Sequence, residues 1–261
     1  MVKTAVATQI EGSTDALLRL RGQARDKAAT DWWLESSDLT VLGYAAIAKE
    51  VAEHTWVASD TPRVLDWGGG LGFLSFFFHQ LDFDTTYYDF SYGDDPAAAF
   101  FLDRLPINKM TAEHGWMLPF PNQTFDVVVG CGVLEHVDDM DRSLEEIHRI
   151  LRPGGLLFLY HFPNRFSYTE FLARRIGQPS HEVLLRRHAL VGLVSRHGFQ
   201  VKSSYYKYML PRNLVEYPRA RHLFTRYSSR LFRIDRALTG VPGLRVVANA
   251  LNLVAEKPVS G

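Results

Sequence analysis

The sequence contains almost no cysteine, since Cys131 is the only one among its 261 residues. A lone cysteine excludes an internal disulfide and a zinc site built from several thiolates. No stretch approaches the roughly 18 uninterrupted apolar residues of a membrane span. Residues 1–21 include Glu11 and Asp15 and lack the continuous apolar stretch of a signal peptide. These absences predict a cytoplasmic protein.

The sequence also lacks net charge, because 29 Lys and Arg residues balance 29 Asp and Glu residues. A nucleic-acid-binding protein usually has a basic excess, so the total charge does not favour one. The charge is nevertheless divided: residues 1–164 contain 12 basic and 24 acidic residues, whereas residues 165–240 contain 15 and 4. The basic part is typical of a solvated helical face, or of a surface that attracts an anionic substrate or membrane.

Apolar strand-like runs alternate with amphipathic helical patterns over the first two thirds of the chain. Hydrophobic residues make up 46% of the sequence, which is enough for a large buried core. The alternation predicts an α/β fold with a doubly wound, mostly parallel, Rossmann-like sheet and helices on both faces. The strand-like runs are 63–67, 85–88, 109–112, 125–131 and 156–160, followed by 200–208 and 251–256.

Local signals also predict where individual helices begin and end. Asp141 is placed to cap a helix, and Pro153-Gly154-Gly155 is placed to stop it. Beyond the fifth strand the regular alternation ends, and helical patterns appear at 165–177, 187–197 and 213–238. The change from acidic to basic sequence therefore coincides with the end of the predicted core.

A glycine-rich turn follows the first predicted strand, in the sequence Asp66-Trp67-Gly68-Gly69-Gly70-Leu71-Gly72. Gly68, Gly70 and Gly72 allow the backbone to approach a ligand at the carboxyl end of the strand, where open parallel sheets bind their ligands. The dinucleotide fingerprint requires a further glycine where Phe73 stands, and the Gly-Lys-Ser/Thr of a phosphate-binding loop is absent. Asp66 fits an amine-bearing ligand better than a pyrophosphate.

A second carboxylate, Asp89, ends the next predicted strand 21 residues after Gly68. An acid about 20 residues beyond such a turn accepts hydrogen bonds from ribose hydroxyls in related sheets. A turn aspartate without a ligand is the alternative interpretation. Together with Asp66 and the glycines, Asp89 favours a nucleoside that has a charged tail.

Four ordered motifs after this turn resemble those of the class I S-adenosylmethionine-dependent methyltransferases, and the turn itself is similar to their first motif. The resemblance covers residues 60–160 well and residues 251–258 loosely. It implies a seven-stranded sheet with an antiparallel last strand, S-adenosylmethionine as the cofactor, and methyl transfer as the activity. The motifs are Leu118-Pro119-Phe120-Pro121, Phe125-Asp126-Val127-Val128, Val133-Leu134-Glu135-His136-Val137 and Arg149-Ile150-Leu151-Arg152-Pro153-Gly154-Gly155.

The resemblance also implies which residues bind the cofactor. Gly68, Gly70 and Gly72, with Asp66 behind them, would hold its methionine end, and Asp89 would bind its ribose. The glycines follow the first strand and Asp89 ends the second, so all of these residues lie at the carboxyl ends of successive strands.

Three further residues are implied in cofactor binding. The family reads adenine with an acid at the end of the third strand, but His114 occupies that place here and Glu113 precedes it by one residue. Either residue can therefore make the adenine contact. Cys131, after the fourth strand, is expected to line the cofactor pocket.

Methyl transfer requires alignment of the acceptor and exclusion of water, because the cofactor already carries a reactive methyl group. An oxygen acceptor must also lose a proton, which is a task for a histidine or a carboxylate. His136 is the first candidate, and His161 at the tip of the fifth strand is the second. The alternative for each is a purely structural role. We expect a small-molecule acceptor that is methylated on oxygen by in-line displacement.

Some features are similar to ubiquinone-biosynthesis O-methyltransferases, namely Trp32-Trp33, Leu134-Glu135-His136-Val137, and Pro163-Asn164-Arg165 followed by Ser180-His181. Some of those enzymes bind a divalent metal through a Glu-x-x-Glu-His set. Gly132 stands here in place of the first glutamate, so we expect no required metal.

Residues 214–238 interleave arginines with aromatic and aliphatic residues. This pattern predicts an amphipathic lid over the substrate, an interfacial helix on an anionic membrane, or a site for a phosphate-bearing molecule. We expect residues 1–60 to form an N-terminal helical cap, residues 61–164 the cofactor-binding core, and residues 165–261 a basic substrate-capping part of the same domain. Peripheral membrane association is thus compatible with a cytoplasmic protein.

Two rival functions remain at the level of sequence. An RNA methyltransferase could share the core, but enzymes that modify base amino groups carry Asn/Asp-Pro-Pro-aromatic after the fourth strand, where Cys131-Gly132-Val133-Leu134 stands here. A nonenzymatic partner protein could keep the fold without turnover. The sequence does not indicate an oligomeric state.

Overall fold

The computed structural model describes residues 2–27, 38–55, 61–90, 96–113, 116–178, 180–211 and 218–259. Its helices are α1 (Val2–Lys27), α2 (Asp38–Thr55), α3 (Phe73–Gln80), α4 (Pro96–Leu102), α5 (Met140–Ile150), α6 (Tyr168–Arg175), α7 (Arg187–Arg196), α8 (Pro218–Arg226) and α9 (Ser228–Gly240). Its strands are β1 (Arg63–Trp67), β2 (Asp84–Asp89), β3 (Asn108–Thr111), β4 (Phe125–Cys131), β5 (Leu151–Pro163), β6 (Gln200–Lys207) and β7 (Ala250–Glu256). Trp32-Trp33 and residues 214–217 lie outside the described residues.

The described strands form a seven-stranded sheet in the order β3-β2-β1-β4-β5-β7-β6. Strand β7 runs antiparallel to both β5 and β6, whereas β2 pairs in parallel with β1 and with β3, and β4 with β5. The predicted doubly wound, Rossmann-like α/β fold with an antiparallel last strand is confirmed.

The chain divides into two compact units, and the first contains residues 1–111 and 212–234. In β1 every residue after Arg63 is buried, as expected for a strand that is covered on both faces. Helix α3 is strongly apolar, and the ring of its first residue, Phe73, packs edge-on against Phe101 of α4 with centroids 5.1 Å apart. This packing positions the turn between β1 and α3.

The second unit contains residues 112–211 and 235–261. Its core surrounds β5, in which residues 157–160 are at most 2% exposed. Nζ of Lys257 donates to the carbonyl oxygens of His148 and Leu151, 2.8 and 2.9 Å away, and so joins the end of β7 to the junction of α5 and β5. Among the described residues, no helix combines the length and apolar character needed to cross a membrane.

Two predictions about helix α5 are wrong. Its cap is Asp139, whose side chain accepts a hydrogen bond from the Arg142 nitrogen at 3.0 Å, and Asp141 lies inside the first turn. The helix ends at Ile150, before Pro153-Gly154-Gly155, because Leu151 is already extended and pairs with β4. Gly154, with a φ of 78°, lies where the register of this pairing shifts.

The helical segment predicted at 213–238 is two helices, α8 and α9, which are separated at Tyr227. Strand β5 is also longer than predicted and continues to Pro163. His161 therefore lies within β5, at a bulge in its pairing with β7, and not beyond the end of the strand. The predicted division at residues 60 and 164 stays a prediction.

Candidate functional site

The glycine turn after β1 is built on left-handed backbone conformations. Gly68, Gly70 and Gly72 have φ values of 67°, 53° and 78°, a region that only glycine adopts without strain. A Cβ atom at Gly72 would lie 2.5 Å from Cδ2 of Leu102, whereas a Cβ atom at Gly70 would meet nothing within 4 Å. The turn is therefore packed against its own unit at Gly72 and open at Gly70.

Two carboxylates flank this turn in the structure. Asp66 is buried in β1, and its Oδ2 accepts hydrogen bonds from the nitrogen and the hydroxyl of Ser75, at 2.9 and 2.6 Å. Asp89, at the end of β2, accepts a bond of 2.8 Å from the Gly70 nitrogen, and the hydroxyl of Tyr87 donates to the Gly70 oxygen at 2.7 Å. The predicted residues Asp66, Gly70 and Asp89 thus lie together in the first unit.

The burial of Asp66 changes its protonation. Burial raises the pKa of this carboxyl to about 7, the hydrogen bonds from Ser75 oppose the rise, and the charge of Asp89 adds to it. A cationic ligand group near Asp66 would lower the pKa again, because an opposite charge favours the ionised form. The arrangement therefore suits a ligand with a cationic group and hydroxyl groups. Sequence reasoning missed Ser75 and Tyr87.

The residues predicted to contact adenine are placed only in part. Glu113 lies in an exposed bend directly after β3, and His114 is outside the described residues. Cys131 is the last residue of β4 and is half-buried. The roles of these three residues stay predictions.

His161 forms a small polar cluster with residues from three strands or their ends. Its Nδ1 lies 3.4 Å from Sγ of Cys131, and its Nε2 lies 2.8 Å from the hydroxyl of Tyr208. The side chain of Asn252 accepts a hydrogen bond from the His161 nitrogen at 3.1 Å. Both His161 and Tyr208 have a φ of 63°, a strained conformation that occurs at functional sites. The sequence contained no local signal for Tyr208 or Asn252.

His136 belongs to a second cluster of the same unit. Its Nε2 lies 3.9 Å from Oε1 of Glu135, and its ring centroid is 5.8 Å from that of His181. Glu170 of α6 binds His181 twice, through Nδ1 at 2.7 Å and through the backbone nitrogen at 3.1 Å. The side chain of His136 is 63% exposed, whereas that of Glu135 is 3% exposed. We call Glu135, His136, Glu170 and His181 the histidine cluster.

The protonation states within the histidine cluster differ from those of free side chains. Burial raises the pKa of Glu135 to about 7. Burial, followed by the nearby charge of His181, lowers the pKa of His136, whereas the hydrogen bond with Glu170 raises the pKa of His181. At neutral pH the imidazole of His136 is therefore neutral, reachable from solvent and able to accept a proton.

The cluster also has the composition of a metal site. Glu135, His136 and His181 offer ligand atoms that all lie within 4.8 Å of one another. Tetrahedral zinc with bonds of about 2.1 Å brings its ligand atoms to roughly 3.4 Å from each other, less than the 3.9 Å between Glu135 and His136. Metal binding would therefore require the side chains to move closer together. His181 offers a third ligand atom that the spacing of the local motif could not reveal.

A family model described as a methyltransferase domain matches residues 14–204. Two curated relatives are similar to part of the chain: a demethylmenaquinone methyltransferase of Streptomyces griseus and a ubiquinone/menaquinone biosynthesis C-methyltransferase of Vibrio campbellii. The first is 29% identical over 54% of this chain and 63% of its own length, and the second is 31% identical over 38% and 41%. The matches thus span less than two thirds of either relative.

The fold also resembles that of solved structures. The crystal structure of an S-adenosylmethionine-dependent methyltransferase from Methanosarcina mazei has a TM-score of 0.54. The similarity covers 80% of this chain and 98% of the other, with 16% sequence identity. At this identity the likeness concerns the fold alone.

Proposed function

This chain belongs to the methyltransferase domain family, and on that basis we propose that it transfers a methyl group to an oxygen atom of a small molecule. The chain is an S-adenosylmethionine-dependent enzyme. The observation that carries the proposal of an oxygen acceptor is the neutral, solvent-accessible imidazole of His136. An oxygen acceptor needs such a base because its hydroxyl proton must leave.

The first unit fits S-adenosylmethionine in three respects. The backbone at Gly70 faces open space, Asp66 is a buried acid that a cationic amino group would satisfy, and Asp89 lies where ribose hydroxyls can donate to a carboxylate. When bound, the cofactor supplies an electrophilic methyl group on a positively charged sulfur. The protein residues therefore bind the cofactor, orient the acceptor, exclude water from the site and remove the proton of the acceptor.

We assign the role of accepting the hydroxyl proton of the acceptor to Nε2 of His136. This nitrogen lies 3.9 Å from Oε1 of Glu135, whose ionised form would stabilise the imidazolium. Burial, and then the charge of protonated His181, keeps the pKa of His136 below its ordinary value, while the hydrogen bond with Glu170 raises the pKa of His181. The cluster thus combines a base, a carboxylate and a second imidazole that is held by Glu170.

His161 is the second candidate, as a positioning residue. Tyr208 and Cys131 hold its two ring nitrogens, and Asn252 holds its backbone. An imidazole whose two ring nitrogens are both engaged is better suited to hold its neighbours in place than to change its protonation in each turnover. We therefore give His161 the positioning role and His136 the role of base.

The names of the relatives support a quinone-related compound as the acceptor class. The Streptomyces griseus protein is named for demethylmenaquinone, and the Vibrio campbellii protein for C-methylation in ubiquinone/menaquinone biosynthesis, so the choice of an oxygen acceptor rests on His136 and not on these relatives. We propose an amphiphilic phenol or hydroquinone as the acceptor here. RNA is the rival acceptor, through the basic segment after residue 165.

Methyl transfer from S-adenosylmethionine with an isotope-labelled methyl group tests the proposal. The purified protein is incubated with a panel of phenols and hydroquinones, and mass spectrometry with NMR locates the label. We expect an O-methyl product, and the control variant Asp66→Asn should form less of it at a limiting concentration of S-adenosylmethionine because its affinity for the cofactor is lower. A C-methyl product or labelled RNA would contradict the proposed acceptor. No binding of S-adenosylmethionine in calorimetry would favour a nonenzymatic partner protein.

A further inference from the structure

Helix α6 carries its large apolar side chains on the outside of its unit. Phe171, Leu172 and Ile176 are 58%, 50% and 62% exposed, and Phe166, just before the helix, is 45% exposed. No residue of α6 is buried. Because an α-helix turns about 100° per residue, Phe171, Leu172 and Arg175 share one side of the helix. This apolar side faces solvent, which is the reverse of an ordinary surface helix.

Arginine side chains border the apolar residues. The guanidinium of Arg175 lies 5.1 Å from the ring centroid of Phe171, and that of Arg186 lies 5.1 Å from the ring centroid of Phe166. Arg165, which precedes Phe166 in the chain, is also exposed. We call this combination of exposed apolar and basic side chains, between residues 165 and 186, the α6 surface. The α6 surface thus combines exposed apolar side chains with positively charged ones.

The other side of α6 belongs to the histidine cluster. Glu170 of this helix binds Nδ1 of His181, and the guanidinium of Arg174 donates to the His181 carbonyl oxygen at 3.3 Å. The helix that exposes Phe171 therefore also supplies a wall of the candidate site. Whatever binds the α6 surface is therefore separated from His181 of the histidine cluster by about the width of this helix, roughly 10 Å.

We propose that the α6 surface binds an anionic lipid bilayer. Phe171, Leu172 and Ile176 would enter the boundary between headgroups and acyl chains, while the arginines contact lipid phosphates. The charge of the surface is complementary to such a bilayer. Membrane binding by the α6 surface does not depend on the proposed function. Only the further statement that the enzyme collects an amphiphilic acceptor from the membrane rests on that function.

The dimensions of α6 favour a bilayer over a protein partner. Eight residues span about 12 Å, whereas a stable protein interface usually buries about 800 Å² on each side. A few protruding side chains are sufficient for reversible binding to a fluid, anionic layer. A second protein, including a second copy of this chain, is therefore an outcome for the experiment to detect.

Co-sedimentation of the full chain with vesicles tests the proposal. One set of vesicles contains phosphatidylcholine alone, and the other also contains phosphatidylglycerol. We expect binding to the second set, and a loss of about tenfold or more in the variant Phe171→Ser, Leu172→Ser, Ile176→Ser. These side chains are exposed, so the variant should keep its melting temperature.

The matched control removes three exposed apolar side chains from the segment 214–238, in the variant Leu223→Ser, Tyr227→Ser, Ile234→Ser. This control should retain vesicle binding. Loss in the control and not in the α6 variant would overturn the assignment and place the membrane contact in α8 and α9.

Two further outcomes would also overturn the proposal. One is the absence of wild-type binding to both sets of vesicles. The other is a vesicle-independent change of oligomeric state in the α6 variant, measured by light scattering, which would identify the surface as a protein interface. Calorimetry with S-adenosylmethionine separates the two proposals, since a chain that binds the cofactor but no vesicle contradicts only this one.

Discussion

Ser75 donates two hydrogen bonds to one oxygen of the buried Asp66 carboxyl, one from its backbone nitrogen and one from its hydroxyl. Ser75 lies in the first turn of α3, so the helix that follows the glycine turn presents both donors to the strand that precedes it. Even with these bonds, burial keeps the pKa of Asp66 at about 7. The buried carboxyl that we propose as a cofactor contact therefore lowers the stability of the free protein when it is ionised.

The first prediction concerns the pH dependence of this stability. Because the pKa of Asp66 rises from 3.8 to about 7 on folding, the folded chain binds more protons between these values. Stability therefore falls as pH rises through this window, by about 4 kcal/mol at most, and is constant above it. Asp66→Asn removes this slope, so the variant should be more stable than wild type at pH 8 in urea unfolding.

The matched control is Asp84→Asn, at the exposed start of β2. It should keep the wild-type pH slope and the wild-type affinity for S-adenosylmethionine. Asp66→Asn should lose affinity about tenfold or more, because a charge-assisted contact with the cationic ligand group is lost. Equal pH slopes for Asp66→Asn and wild type would show that Asp66 is not the titrating group.

The second prediction separates the glycines by the space around them. Gly72→Ala places a Cβ atom 2.5 Å from the buried side chain of Leu102, at a φ of 78°. This change should reduce the free energy of unfolding by about 2–4 kcal/mol, from overpacking and a left-handed alanine. Gly70→Ala meets nothing within 4 Å and should cost only about 1–2 kcal/mol, yet lose cofactor affinity. Unchanged affinity in Gly70→Ala would mean that the open space is not the ligand site.

The third prediction distinguishes the two histidines. If His136 is the base, His136→Gln should lower kcat by about 10²–10⁴ without a change in S-adenosylmethionine affinity. Tyr208→Phe, which removes the hydrogen bond to His161, should mainly raise KM for the acceptor. Calorimetry and steady-state kinetics measure both quantities. A variant His136→Gln with full turnover would exclude this residue from the mechanism.

The fourth prediction links α6 to the pH profile. Glu170 raises the pKa of His181, and the charge of His181 adds to the effect of burial, which is the main cause of the lowered pKa of His136. Glu170→Gln should therefore reduce the charge on His181, raise the pKa of His136 towards its ordinary value, and move the acid limb of kcat/KM to higher pH. Glu182→Gln, an exposed change beside His181, is the control and should leave the limb in place. An acid limb that stays fixed in both variants would contradict the role of His136.

The fifth prediction concerns metal removal. Glu135 and His136 are too far apart for a preformed tetrahedral site, so we expect methyl transfer to persist after dialysis against a chelator. Metal analysis of the purified protein provides an independent measurement. Loss of activity that zinc restores in wild type, but not in His181→Ala, would identify the histidine cluster as a metal site instead.

Local sequence patterns predicted most of the fold. The run of residues 125–131 is β4 without any change of boundary, since a buried parallel strand consists of consecutive apolar residues. The glycines of the turn were also recognisable, because a left-handed φ demands glycine at a fixed place in the chain. The cap of α5 was assigned two residues too late because Asp139 and Asp141 are both cap-forming residues. Which of the two caps the helix depends on the residue at which the helix begins, Met140, and the local sequence does not specify that residue.

The partners of the candidate site residues were not predictable in this way. Tyr208 lies 47 residues from His161, and Glu170 reaches His181 only because α6 ends in a turn that brings them together. A hydrogen bond between distant residues depends on how strands and helices pack, and no periodicity within one element encodes it.

The amino-acid order by itself determined the alternation of strands and helices, the glycine positions and the two carboxylates beside them, because each depends on near neighbours and on backbone sterics. The tertiary structure alone decided the protonation of Asp66, Glu135 and His136, since burial and charges from other elements shift their pKa values. It also decided that the apolar side of α6 faces solvent, because that outcome depends on which surfaces the rest of the unit leaves uncovered.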